Sequence, residues 1–427
     1  IWRFRTGHRM LTVFHTADWH LGQSFCGFDR DFEHAKFLEW LTEQLRTRRP
    51  DVLLLAGDVF DSVNPSAQAQ QRFYSFLADA HSTLPTLQIV ITAGNHDASA
   101  RLEAPAGLLD SLNIAVIGTV QRDQDGHIDV SKFLVPVQNS AGETEAIVMA
   151  VPFLRPSDVP VLPNPGDPYL DGIRELYRQV TEAALELQTA QYPNAALIAM
   201  GHCHLAGAAE SPDSERRLIV GGAEAVPVDG FDPRIAYVAL GHLHRAQPFD
   251  NGRIRYSGSP IPLSFSETHY RHQILQLTVD RQERTSVDSI PIPRTTSLMK
   301  VPTSGSLPID GLLRHLQSLE LDPELPPEQH PFLEIRVRDD GPDPTRRTRI
   351  EKMLEGRPVR LASIKSDRGL QPDGGDNSAE HLDVESLRDI QPLDVFTDAW
   401  REKYNTEPES DVLDALREIL LQESDST

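Results

Sequence analysis

Five short clusters carry the residue types that hold metals: Asp18-Trp19-His20, Gly57-Asp58, Gly94-Asn95-His96-Asp97, Gly201-His202 and Gly241-His242-Leu243-His244. They offer Asp18, His20, Asp58, Asn95, His202, His242 and His244 as candidate metal ligands. Any one cluster alone reads as a turn or an ordinary histidine. Taken together they mix carboxylate, amide and imidazole donors, a set that suits Mn, Fe or Zn. Seven donors fit two metals that share one carboxylate. Two metals about 3.5–4 Å apart clamp the attacking and leaving oxygens of an in-line displacement at phosphorus. Asp18 and His20 are two residues apart, so on an extended segment both point to one side, as do His242 and His244. The glycines before Asp58, Asn95, His202 and His242 are expected to allow a tight turn off each strand. His96 adjoins a ligand and is the candidate catalytic residue. As imidazolium it would stabilise the phosphorane or protonate the leaving oxygen. Asp97 is expected to orient a neighbouring histidine.

Each cluster follows a short apolar run: Leu11–Thr16, Val52–Leu55, Leu87–Thr92, Ala195–Met200 and Ile235–Leu240, with Ala146–Val151 as a sixth run of the same kind. Such runs read as strands buried on both faces. Helical patterns alternate with them at Phe32–Arg48, after an Asn64–Pro65 start, and at Ile173–Gln188. Strands alternating with helices give an α/β domain, whose ligand sites lie at the carboxyl ends of strands. Farther along, Ile309–Leu319 reads as a helix. Phe332–Arg338, Thr345–Leu354 and Val359–Ile364 then read as a β-α-β module. The last helices put Leu393, Phe396, Trp400 and Tyr404 on one face, and Val412, Leu413, Leu416, Ile419 and Leu420 on another. Thr406 and Glu409 fit a capping box for the second of them. The expected organisation is a lead at 1–9, a main domain at 10–279, a second domain at 280–365, a flexible linker at 366–390 and amphipathic helices at 391–422.

The 427 residues include 63 acidic and 41 basic side chains, a net charge of −22. That balance excludes a protein that holds nucleic acid by overall charge, though not one with a local basic surface. The segment from Ser366 onward contributes 17 acidic and only 5 basic residues. The longest apolar run, Ala146–Phe153, is far below the roughly 20 residues that span a bilayer. Cys26 and Cys203 are the two cysteines, so there is no disulfide framework, and a reducing cytoplasmic setting fits.

The five clusters, in this order and at strand ends, resemble the calcineurin-like metallophosphoesterases. Asp18-Trp19-His20-Leu21-Gly22 and Tyr256-Ser257-Gly258-Ser259-Pro260-Ile261-Pro262-Leu263-Ser264-Phe265 narrow the resemblance to the SbcD family, the nuclease subunits of bacterial SbcCD complexes. The likeness spans about residues 10–422 and is strongest before Glu267. It implies a four-layer α/β/β/α sandwich with a smaller C-terminal α+β capping domain and a helical partner-binding tail. It implies two manganese ions, one held by Asp18, His20 and His244, the other by Asn95, His202 and His242, with Asp58 bridging and His96 catalytic. It further implies a homodimer within a heterotetramer, bound through the terminal helices to an SbcC-type, SMC-like ATPase. The implied function is DNA repair and recombination at the nucleoid. Its substrates would be DNA ends, single strands and hairpins, cut by ATP-dependent 3′–5′ duplex exonuclease and single-strand endonuclease action. No Gly-x-x-x-x-Gly-Lys-Ser/Thr motif occurs, so ATP dependence would belong to the partner.

Three further features have two readings each. Arg346, Arg347, Arg349, Lys352, Arg357 and Arg360 form either a phosphate grip or a solvated helix face. The stripe of Phe73, Phe76 and Leu77 is either core or dimer contact. Gly201-His202-Cys203-His204 mimics the later Gly-His-x-His, but only His202 is assigned as a ligand. Rival functions are a calcineurin-like phosphatase or small-molecule phosphodiesterase on the same ligands, and a non-catalytic scaffold, which the full ligand set argues against.

Overall fold

A computed structural model describes residues 10–211, 225–341 and 343–367. The expected lead at 1–9 and the terminal helices at 391–422 lie outside the described residues. The chain runs β1 (Leu11–Thr16), α1 (Asp31–Arg48), β2 (Val52–Ala56), α2 (Ala67–Thr83), β3 (Gln88–Thr92), β4 (Ile114–Ile117), β5 (Leu134–Gln138), β6 (Thr144–Ala150) and α3 (Pro168–Gln191). There follow β7 (Ala196–His202), β8 (Tyr237–Gly241), β9 (Gln247–Phe249), β10 (Ile254–Tyr256), β11 (Gln273–Asp280) and β12 (Glu283–Pro291).

Two six-stranded sheets result, in the orders β12-β11-β1-β2-β3-β4 and β9-β10-β8-β7-β6-β5. The strands that lead into the clusters pair in parallel, β1 with β2, β2 with β3, and β7 with β8. All five clusters therefore emerge at the carboxyl ends. Strand alternation divides the apolar residues between two cores. Val13, Val52 and Leu54 join Ile198 and Val238 of the second sheet and Leu176 and Val180 of α3. Phe14, Leu53 and Leu55 face the other way, onto Phe37 and Leu41 of α1 and Phe73 and Phe76 of α2. The layers are thus α/β/β/α, as the resemblance implies. Each fully buried side chain of this size contributes about 1.5–3 kcal/mol.

The apolar stripe on α2 is core: Phe73, Phe76 and Leu77 are buried, and Trp19 packs edge-to-face on Phe73 and Phe76. Those three side chains are not available as a dimer contact. The same helix starts later than the Asn64–Pro65 signal. Its cap is Ser66, whose hydroxyl accepts from Ala69 N at 3.1 Å.

The second, smaller assembly is β13 (Leu298–Val301), α4 (Ile309–Gln317), β14 (Phe332–Arg338), α5 (Arg346–Leu354) and β15 (Arg360–Asp367), with a parallel sheet in the order β13-β14-β15. Leu312, Leu316, Ile350 and Leu354 of the helices close on Leu333, Ile335 and Val337. Two expected boundaries shift. The 279/280 boundary falls inside the β11–β12 hairpin, whose pairing carries the first sheet on to Pro291. Ser366 and Asp367, placed in the linker, are the last residues of β15 and pair with Val337 and Arg338. Among the described residues, no helix is long and apolar enough to cross a membrane.

Candidate metal centre

The centre is built where strands stop and the backbone turns sharply. Asp18, His20, Asp58 and His242 all have positive φ, at 56°, 46°, 50° and 101°. Left-handed backbone costs non-glycine residues about 1–3 kcal/mol each and persists where surrounding contacts impose it. Here the contacts are explicit: Asp18 N donates to Gly57 O, and His20 N to Asp58 O, both at 3.0 Å. The glycines act differently from the tight turns expected of all four. Gly57 alone has positive φ, at 82°. At Gly94 the requirement is space, since a Cβ there would lie 2.1 Å from Asp58 Oδ1.

Asp58 is the hub. Its Oδ1 accepts from His96 N at 2.9 Å. Its Oδ2 lies 3.5 Å from His20 Nε2 and 3.3 Å from His202 Nε2. Two triads share it: His20, Asp58 and His96, and Asp18, Asp58 and His202, each with its ligand atoms within 4.8 Å of one another. Asn95 Oδ1 sits 3.0 Å from both His202 Nε2 and His242 Nδ1. The rings of His20 and His244 stand 5.1 Å apart, and those of His202 and His242 5.3 Å. All seven expected ligands and His96 therefore converge on one place.

The remaining polar contacts fix which ring nitrogen faces inward. His202 Nδ1 lies 3.0 Å from Ala56 O, and a carbonyl only accepts, so Nδ1 carries the proton and Nε2 is the donor atom. His244 Nδ1 lies 3.0 Å from Glu267 Oε1, and His20 Nδ1 lies 3.2 Å from Asp61 Oδ1. His96 Nδ1 is 2.8 Å from Asp61 O. Neither Glu267 nor Asp61 was identified from the sequence. Asp61 could have been found by its position, three residues past Asp58. Glu267 could have been found as the carboxylate that directly follows the uncharged run Ser257–Ser266. The role expected of Asp97 is corrected: it accepts from Val59 N, Phe60 N and Gly94 N, clamping two loops together rather than orienting a histidine.

Burial and charge act in opposition here. Burial pushes Asp18 up to about 7 against the pull of His202 and His244. Burial would lower His202, but the Asp58 charge and hydrogen bond raise it to about 9. Asp58 is held well below the usual carboxylate range because His202 and His20 outweigh its burial. Such a cluster keeps protons where cations would otherwise sit. Asp18 Oδ2 and His20 Nε2 are buried without a hydrogen-bond partner. Orphaned buried donors in a mixed oxygen and imidazole set fit divalent cations. Cys203 does not join them. Burial pushes its thiol up to about 12, and His204 Nε2 turns toward Glu210 at 3.5 Å.

The basic group of the second assembly, open to two readings, is mostly engaged within that assembly. Arg346 bonds Asp339 at 3.1 Å and Ser366, and Arg349 bonds Asp310 at 2.5 Å. Arg357 caps α4 through the carbonyls of Leu316 and Leu319. Arg360 lies 3.7 Å over the Phe332 ring. Four of the six basic residues thus serve internal structure, while Arg347 and Lys352 are exposed.

Comparison with known proteins agrees with this geometry. Residues 11–246 match the calcineurin-like phosphoesterase family, and residues 295–404 match the family described as the type 5 capsule protein repressor C-terminal domain. The chain is 41% identical over 359 residues to the SbcD subunit of the nuclease SbcCD from Rhodobacter capsulatus, covering 84% of this chain and 88% of the relative. It is 30% identical over 368 residues to the protein of the same name from Escherichia coli K12, covering 84% and 86%. The Bacillus subtilis counterpart is 38% identical over 269 residues, covering 62% and 65%. Among solved structures, a dimetal phosphatase from Danio rerio aligns at 12% identity with a TM-score of 0.36, covering 66% of this chain and 99% of its own. The matched residues include every one of the five clusters, and the chain therefore belongs to the calcineurin-like phosphoesterases and, within them, to the SbcD family of SbcCD nuclease subunits.

Proposed function

We propose that this chain is the nuclease subunit of an SbcCD-type complex, a manganese-dependent DNA phosphodiesterase that works with an SbcC-type, SMC-like ATPase. The observation that carries the reading is the pair of donor triads sharing Asp58, with Asp18 Oδ2 and His20 Nε2 buried without a hydrogen-bond partner. On the split that the resemblance implies, Asp18, His20 and His244 would hold one cation and Asn95, His202 and His242 the other, with Asp58 shared, while the folded triads group Asp18 with His202 and His20 with His96 around the same Asp58. Bound there, two divalent cations supply an activated nucleophile and neutralise charge developing on the phosphate.

The chain's own residues do the rest. Glu267 and Asp61 hold His244 and His20 in the tautomer that presents Nε2. The Asp61 carbonyl holds the His96 Nδ1 proton, which leaves Nε2 for the substrate. As imidazolium, His96 donates that Nε2 proton to the departing oxygen. The reading includes a homodimer within a heterotetramer, nucleoid-associated work in the cytoplasm, and 3′–5′ duplex exonuclease and single-strand or hairpin endonuclease action.

The test is cleavage of end-labelled linear duplex, single-stranded and hairpin DNA with manganese, alone and with a purified SbcC-type ATPase and ATP. Wild-type cleavage, lost in Asp58→Ala and His96→Ala, supports the nuclease. Hydrolysis of a small phosphoester with no cleavage of any DNA would instead make the chain a phosphatase or small-molecule phosphodiesterase.

A further inference from the structure

Beside the metal centre runs a segment that carries an exposed arginine, Arg155. The segment after β6 is tied to the ligand loop, since Phe153 N donates to Ala93 O at 2.8 Å, just before Gly94-Asn95-His96. The half-buried Phe153 ring stands edge-on to His202, with centroids 6.2 Å apart and planes at 85°. Over that same ring lies the Arg155 guanidinium, its Cζ 5.9 Å from the centroid. A cation within about 6 Å of a ring is attracted by the ring's quadrupole. The backbone beneath is fixed on both sides. Arg155 N donates to Asp158 Oδ2 at 2.8 Å, and Tyr169 Oη donates to Leu154 O at 2.6 Å.

Arg155 is exposed, and among the described residues it makes no ion pair with a carboxylate. This sets it apart from Arg346, Arg347 and Arg349, which all pair with acids. Two ring contacts of about 6 Å in series join it to a metal ligand. That chain of contacts keeps the guanidinium beside the centre, where a phosphate next along the strand comes within its reach.

We infer that Phe153 and Arg155 form a strand grip, in which Arg155 binds a phosphate adjoining the scissile one in a polynucleotide and Phe153 holds the guanidinium in place. The inference rests on the nuclease reading and names how that site tells a strand from a small ester. A planar guanidinium suits two parallel bonds to phosphate oxygens. One phosphate contact in a single strand adds about 0.7 to the slope of log affinity against log salt.

The test uses the full-length chain with manganese and two substrates, a labelled single-stranded oligonucleotide and bis(4-nitrophenyl) phosphate. Arg155→Ala is expected to raise KM for the oligonucleotide about tenfold and to flatten its salt slope by about 0.7. Hydrolysis of the small diester is expected to stay at the wild-type rate. Arg155→Lys should recover part of the loss. Arg178→Ala, which removes an exposed charge on α3 paired with Glu175, should change neither substrate. Wild-type KM and salt slope in Arg155→Ala would overturn the grip, and so would an equal loss on both substrates, which would place Arg155 in support of the metal centre itself. A wild-type chain that hydrolyses the diester but cuts no oligonucleotide would remove the nuclease reading, and the grip with it.

Discussion

The metal centre and the basic helix of the smaller assembly hold comparable densities of ionisable residues, yet only one of them is poised for chemistry. Around Asp58 the donors are buried, Asn95 half-buried, four sit on left-handed backbone, and Asp18 Oδ2 and His20 Nε2 have no hydrogen-bond partner. Around α5 the charges are mostly paired and, among the described residues, no non-glycine backbone is left-handed, although Arg346 Nε is buried without a hydrogen bond. Arg346, Arg347 and Arg349 meet acids, Arg357 meets two carbonyls, and Arg360 meets an aromatic face. Charge type alone does not mark a binding site. Buried groups left unsatisfied, at a backbone cost, do.

The largest expected effect that would break this contrast belongs to the hub. Asp58→Ala removes the one carboxylate shared by both triads, so both cations should be lost and cleavage should fall at least about a thousandfold. Metal content after dialysis and a cleavage assay read both. Full activity with one metal retained would show that Asp58 does not bridge.

Glu267→Gln comes next. It keeps the shape but weakens the acceptor for His244 Nδ1, so metal affinity should fall about 10–100-fold while the fold is retained. Calorimetric metal titration beside circular dichroism separates the two. An unchanged affinity would make Glu267 a structural residue that holds the backbone at Leu263 N.

At α5 and β15 the effects should be on stability, not catalysis. Arg360→Ala removes the stack on Phe332, with an expected loss of about 1 kcal/mol in denaturant unfolding and no change in cleavage of a short single strand. A selective loss of cleavage would return Arg360 to the substrate. The smallest effect is expected from Arg347→Ala combined with Lys352→Ala. Stability should move by less than about 0.5 kcal/mol. The salt slope for duplex binding should fall by no more than about 1.8, the limit for two phosphate contacts. A steeper fall would mean that the internal arginines also reach DNA.

The expected ligands were legible as one cluster because each sits just past an apolar run, where an α/β sheet must place its site. Leu11–Thr16 and Phe332–Arg338 match their strands end to end. Short strands such as Gln247–Phe249 and Ile254–Tyr256 were not legible, because three residues carry no readable period. The β11–β12 hairpin was divided because Asp280 and the polar residues after it resemble the start of a linker, while their pairing is decided by β1 beside them. Glu267 and Asp61 were missed for a related reason. Their role comes from facing His244 and His20 in space, and neither falls within a ligand cluster. The basic group stayed open to two readings because a run of arginines looks alike whether its partners are phosphates or the carbonyls of Leu316 and Leu319.

The most direct measurement is manganese bound per chain, taken together with DNA cleavage, in wild type and His96→Ala. The account predicts two cations in both proteins, with cleavage lowered about 10²–10⁴-fold in the variant. One cation per chain in wild type would contradict it, as would a His96→Ala variant that loses a cation or cleaves DNA at the wild-type rate.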